Sequence, residues 1–114
     1  MMSLQNKLRQ IGTAFAAITP ECFHYWRPVK KTPCLIWAEV AESGSANANN
    51  HKTEQEIEGS VDLYTKTEYD SLIDDVQETL DSLGVAWNLE AVQYEDETNL
   101  IHYSWTWRIS HGND

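Results

Sequence analysis

The final strand-forming segment constrains the whole chain. Ile101, Tyr103, Trp105, Trp107 and Ile109 alternate without a break with His102, Ser104, Thr106 and Arg108. Successive side chains of a β-strand point to opposite faces, so this run needs a sheet with one covered, apolar face and one wet face. The stretch before the chain midpoint's second helix repeats the demand. Ile57, Gly59, Val61 and Leu63 share one phase, and Glu56, Glu58, Ser60 and Asp62 share the other. Gly59 marks either a bulge or a place where a helix packs close. With 114 residues the chain has material for one core, a single domain over 1–114, and elements of its own must cover the apolar face.

Two amphipathic helices are available. Leu4, Leu8, Ile11, Phe15 and Ile18 recur at helical steps over residues 4–18, with Ser3 as a cap and Thr19-Pro20 as the stop. Gly12 weakens this helix slightly. Later, Thr67-Glu68-Tyr69-Asp70 reads as a capping box with aspartate in place of the usual glutamate. Beyond it Tyr69, Leu72, Ile73, Val76, Leu80 and Leu83 form one side. Asp70, Asp74, Asp75, Glu78 and Asp81 mostly form the other, and Gly84 stands where a left-handed residue closes a helix.

The remaining segments read as strands and connections. Cys22 to Pro28 is aromatic and strand-like, residues 29–33 are a connector, and Cys34 to Val40 is a strand apolar on both faces. Residues 43–52 hold no large apolar side chain, so they cannot offset their ordering entropy by burial; a mobile loop is expected there. Val85, Trp87 and Leu89 alternate, then the apolar phase jumps to Val92 and Tyr94, which predicts a bulge near Glu90 or Ala91. Residues 95–99 are a polar turn, and residues 111–114 are expected to fray. The order is α-β-β-β-α-β-β. It predicts an α+β fold of two layers: an antiparallel-rich mixed sheet of 4–5 strands with both helices on one face.

Charge narrows the function. Eighteen acids face eight bases, a formal net charge of −10. Residues 1–57 carry six bases and five acids, and residues 58–114 carry two bases and thirteen acids. Such a surface repels a phosphate backbone and an anionic membrane alike, so no sequence-specific nucleic-acid binding and no membrane partner are expected. No apolar run approaches the roughly 20 residues of a membrane helix, and polar residues interrupt Met1 to Ile18 too often for a signal peptide. An intracellular chain is therefore expected. Cys22 and Cys34 then read as small buried hydrophobes.

Candidate chemistry is sparse. His24, His51, His102 and His111 stand in no metal-ligand spacing, and Cys22 with His24 supplies only two local donors. His102, on a polar strand face, reads as solvent-facing or hydrogen-bonded. No serine or cysteine stands in a nucleophile signature, and no glycine-rich loop cradles phosphate. The carboxylates decorate a helix surface and a hairpin tip. The expectation is no catalytic residue, no metal, no cofactor and no enzyme. Trp105 and Trp107 read as core. Leu35 and Trp37 occupy one face of a strand whose other face, Ile36, Ala38 and Val40, is also apolar. With helices on one side only, one face is in surplus, and a surplus apolar face marks a subunit contact unless another segment folds over it. On that reading Trp37→Ala leaves a folded chain with weakened association.

Four blocks carry a family resemblance: Tyr64 to Asp70, Leu83 to Leu89, Gln93 to Thr98 and Ile101 to Trp107, joined upstream by Tyr25 to Pro28 and Ile36 to Glu39. This pattern resembles small proteins of the head–tail junction of long-tailed phages and prophages of Gram-positive bacteria, and within them tail terminators, or tail completion proteins. The resemblance implies a virion structural protein made in the host cytoplasm and ending in the tail or neck. It implies copies assembled into a ring, commonly hexameric, that caps the tail tube and offers a docking surface to head–tail connector proteins. Partners are then other copies of the chain and the tail tube protein; a monomeric adaptor or another neck component, binding one partner through its sheet edge, is the alternative. On this reading the interface comprises Leu35 and Trp37 together with Asn47, Asn49, Asn50 and His51 of the 43–52 segment, ordering on the tube.

Overall fold

A computed structural model describes residues 3–26, 31–48 and 51–112. Helix α1 (Leu4–Ala16) is followed by β1 (Cys22–His24), β2 (Cys34–Ala48), β3 (His51–Thr65), α2 (Ser71–Leu83), β4 (Ala86–Glu95) and β5 (Leu100–Gly112). The strands form one sheet in the order β1-β2-β3-β5-β4. The β1–β2 pair is parallel and the other three pairs are antiparallel. The expected α+β order, α-β-β-β-α-β-β, is the observed one.

Register explains why one face is covered. Leu35 pairs with Leu63, Trp37 with Val61, Val61 in turn with Trp105, and Gly59 with Trp107. These residues stand on one face, and Ile11 and Phe15 of α1 and Val76 and Leu80 of α2 join them in a single core. Both helices therefore lie on the same side. Trp105 and Phe15 are completely buried and Trp107 nearly so, each large side chain contributing roughly 1.5–3 kcal/mol.

Two glycines make room for tryptophans. A Cβ on Gly59 would stand 2.0 Å from Trp107 Cζ2, and one on Gly12 would stand 2.5 Å from Trp37 Cζ2. Gly59 is thus not a helix contact. It stands opposite a bulge, because Val40 of β2 is the extra residue between the partners of Gly59 and Glu58, while the ladder to β5 runs through it in register and the Trp107 indole fills the space a side chain would need. The helical cost of Gly12 has the same reason. Trp105 Nε1 donates to Gln77 Oε1 at 3.2 Å, tying α2 to the sheet.

The helix ends show which local signals held. Ser3 caps α1 by accepting from the Asn6 N–H at 3.1 Å. The helix stops at Ala16, two residues short of Ile18, with Ala17 as its C-cap. Gly84 closes α2 in a left-handed conformation, φ 70°. The expected capping box does not form. Asp70 is itself the N-cap: its carboxylate accepts from the Leu72 N–H at 2.9 Å and from Thr65 Oγ1 at 2.6 Å. Thr65 Oγ1 in turn accepts from the Thr67 N–H. This relay starts the helix at Ser71 and throws Tyr69 outward, with φ 57° and its ring almost wholly exposed.

Residues 43–52 depart most from expectation. Residues 43–48 continue β2 and residues 51–52 open β3, so the two strands make a long hairpin. The sequence pattern tested only whether this segment could bury side chains. Main-chain bonds need none, and cross-strand pairs add to them: Lys52 with Glu42 at 2.6 Å and Ser43 Oγ with Glu56 Oε1 at 2.7 Å. The expected fraying from residue 111 is corrected likewise, because His111 and Gly112 pair with Gln55 and Glu54; Asn113 and Asp114 lie outside the described residues, as do Arg27 and Pro28. The bulge foreseen near Glu90 is present between Leu89 and Ala91.

Trp105→Ala should lower stability by about 3–5 kcal/mol. Gly59→Ala, with no room for its methyl group, should cost at least about 1–3 kcal/mol. Gly44→Ala meets only ordinary contacts, at 3.8 Å or more, and should stay within about 0.5 kcal/mol. Urea titrations of the three variants check the ranking.

Candidate functional site

The interface expected at Leu35 and Trp37 is not on the surface. Leu35 is fully buried and Trp37 is 6% exposed. Helix α1 covers that face, with Phe15 and Trp37 ring centroids 5.9 Å apart. The surplus falls on the opposite face instead, where Ile36 and Ala38 are half-buried, and on Val40, which is exposed. Asn47 is exposed near the hairpin tip and pairs with Lys52, and the His51 backbone pairs with Ala48; Asn49 and Asn50 lie outside the described residues. Of the described ones, the structure places Leu35 and Trp37 in the core and Asn47 and the His51 backbone in the hairpin strands.

Among the described residues, the exposed large apolar side chains other than Tyr69 collect at two opposite edges. At the β1–β2 edge stand Tyr25, Trp26 and Val40, and on the edge strand β4 stand Leu89, Val92 and Tyr94; all are more than two-fifths exposed. The sequence signal for the second group was its phase shift. Leu89 pairs with Trp105, Val92 with Tyr103 and Tyr94 with Ile101, so the strip is on the helix side of the sheet. The two helices leave it uncovered, which periodicity alone does not reveal.

The β1 edge is held by a stack. His24 lies between Tyr25 and Trp37, 3.8 Å from each ring centroid. Its Nε2 is 2.9 Å from Glu39 Oε2, and the Tyr25 hydroxyl donates to the same carboxylate. Tyr25 adopts φ 75°, a region costly for a bulky residue. Its N–H bonds to the Trp37 carbonyl at 2.8 Å, which holds it there. Arg9, Gln5 and Leu8 of α1 complete a groove of about 330 Å³ with these rings.

On the open face His102 Nε2 meets Asp62 Oδ1 at 2.7 Å and stacks on Tyr64 with centroids 4.2 Å apart. The ring is hydrogen-bonded, as its polar-face position implies. Arg108 pairs with Glu58 at 3.3 Å. A groove of about 500 Å³ is lined by Lys7, Ile11, Glu56, Leu83, Arg108 and Ser110 among others. Its two cations are engaged, Arg108 by Glu58 and Lys7 by the Ser110 carbonyl at 2.9 Å.

Among the described residues no group of three or more His, Cys, Asp or Glu could hold a metal ion, and no helix is long and apolar enough to cross a membrane. Burial, and to a lesser degree neighbouring Cys34, pushes the Cys22 thiol from 9.0 up to about 11. At neutral pH it therefore stays protonated and is a poor nucleophile. The sequence matches no protein-family model, and comparison with curated proteins finds no match.

The Cys22 shift has a stability consequence. A thiol whose folded pKa lies above its unfolded value favours the fold while protonated, and that contribution is lost as pH rises from about 9 through about 11. Urea midpoints should fall across that window and fall less in Cys22→Ala. Alkylation of native Cys22 by iodoacetamide at pH 8 should run slower than that of the urea-unfolded chain.

Proposed function

We propose that this chain is a structural assembly protein of the phage head–tail junction. It acts as a tail terminator: copies join in a ring on the finished tail tube, end its growth and present a surface to the head. The observation that carries the reading is the residue block Gln93 to Thr98 and Ile101 to Trp107, which builds the β4–β5 hairpin and resembles that group. Two separate apolar edges on opposite sides of one sheet support it, because a closed ring needs two different surfaces per subunit.

The charge pattern supports the same role. Glu54, Glu56, Glu58 and Asp62 of β3 form an acidic column on the open face. A conduit for DNA works best where the polymer slides without sticking, and carboxylates repel phosphate. The tail tube protein and connector proteins are the partners of this reading, and the assembled virion neck is its location.

Negative-stain microscopy of tail tubes mixed with purified protein tests it. Ring-shaped particles should appear at tube ends and elongation by added tube subunits should stop. Tubes that grow on unchanged, with bare ends, would exclude the terminator role. One copy bound per partner without a ring would favour the monomeric adaptor.

A further inference from the structure

We propose that the two exposed apolar edges are the two halves of one head-to-tail contact between copies of this chain, the β4 strip of one subunit seating on the Tyr25–Trp26 edge of the next. The inference deepens the ring reading and rests on it.

Charge selects the occupant. The β4 strip is flanked by Glu90, Glu95 and Glu97, and residues 66–97 hold ten acids against one base. The opposite edge lies beside α1, whose Arg9 is exposed and lines the groove next to Tyr25; the groove's carboxylate, Glu39, is already engaged, accepting from the Tyr25 hydroxyl and meeting His24 Nε2. Two β4 edges brought together would face carboxylates with carboxylates, and like-charge contacts are penalised. Two β1 edges would offer Arg9 only a carboxylate that is already hydrogen-bonded. The unlike pairing sets the acidic flank of β4 against Arg9 and matches both apolar area and charge. Such a heterologous contact leaves one edge of each type open, so it propagates until it closes.

The contact is made by side chains more than by a shared ladder. Register shifts at Val40 and Ser43 interrupt β2 beyond the three residues that β1 pairs with, and one at Glu90 interrupts the outer strand β4; bulges blunt strand-to-strand pairing. Aromatic anchors surrounded by charged rims suit side-chain docking, with Trp26 and Tyr94 as the central pair.

Two double variants test it: Val92→Ser with Tyr94→Ser, and Arg9→Glu with Trp26→Ser. These four positions are exposed, so urea midpoints should match the wild type. In sedimentation velocity the wild-type mass should grow with concentration beyond a dimer. Each variant alone should associate at least about tenfold more weakly. An equimolar mixture should form dimers and nothing larger, because one good edge of each kind remains. A variant that dimerises by itself, or a wild type monomeric at every concentration, overturns the inference, as does association only with added tube subunits. If both variants form rings on tail tubes as readily as the wild type, the edge assignment fails while the ring reading stands. If the wild type caps no tubes yet associates through these edges, the ring reading fails and the contact stands.

Discussion

The fold depends on three tryptophans packed on one face of a sheet that only two short helices cover. Trp107 can lie flat because Gly59 opposes it, and Trp37 can rise toward α1 because Gly12 yields space. Trp105 fills the middle and anchors α2 through its indole N–H. Core side chains pack at crystal-like density, so ring, glycine and helix position are specified together. From this packing follows the limit of coverage. Helices of thirteen residues each shield the central strands, and the rim strands are left with apolar residues in water.

Much of this was legible in the sequence, and the exceptions have physical causes. Alternation at Ile101–Ile109 and Ile57–Leu63 identified the covered face, because period-two patterning records burial directly. Gly84 and Ser3 marked helix ends for the same local reasons they act in the structure. Residues 43–52 misled because composition reports side-chain burial and is silent on main-chain pairing, which here needs no core. Leu35 and Trp37 misled because a strand apolar on both faces does not say which face the helices choose. Tyr69 fits the helical period, but the Thr65–Asp70 bond, a contact between groups five residues apart that no capping pattern includes, starts the helix at Ser71. Within β2 the apolar surplus lies on the face of Ile36 and Ala38, opposite Leu35 and Trp37. The separate exposed strip on β4 follows from helix placement, which is a tertiary property.

The molecule is also electrically lopsided, with its negative charge concentrated in α2, β4 and the turn after it. Such separation acts beyond contact distance. In the proposed contact between copies it would act before any side chain touches, over a reach that physiological salt shortens to about 8 Å. That contact would then form in two steps, a salt-sensitive encounter set by the carboxylates and Arg9 and an apolar seating set by the edge residues.

The β2–β3 hairpin carries a mechanical consequence. Buried apolar side chains support it only as far out as Ile57; past Glu54 it is a two-stranded ribbon joined by main-chain bonds and polar pairs. Opening free energy therefore runs as a gradient, lower at the outer pairs Asn47–Lys52 and Ala48–His51 and rising toward the body. An arm built this way bends at its root and conforms to whatever it meets, while the body it springs from stays rigid.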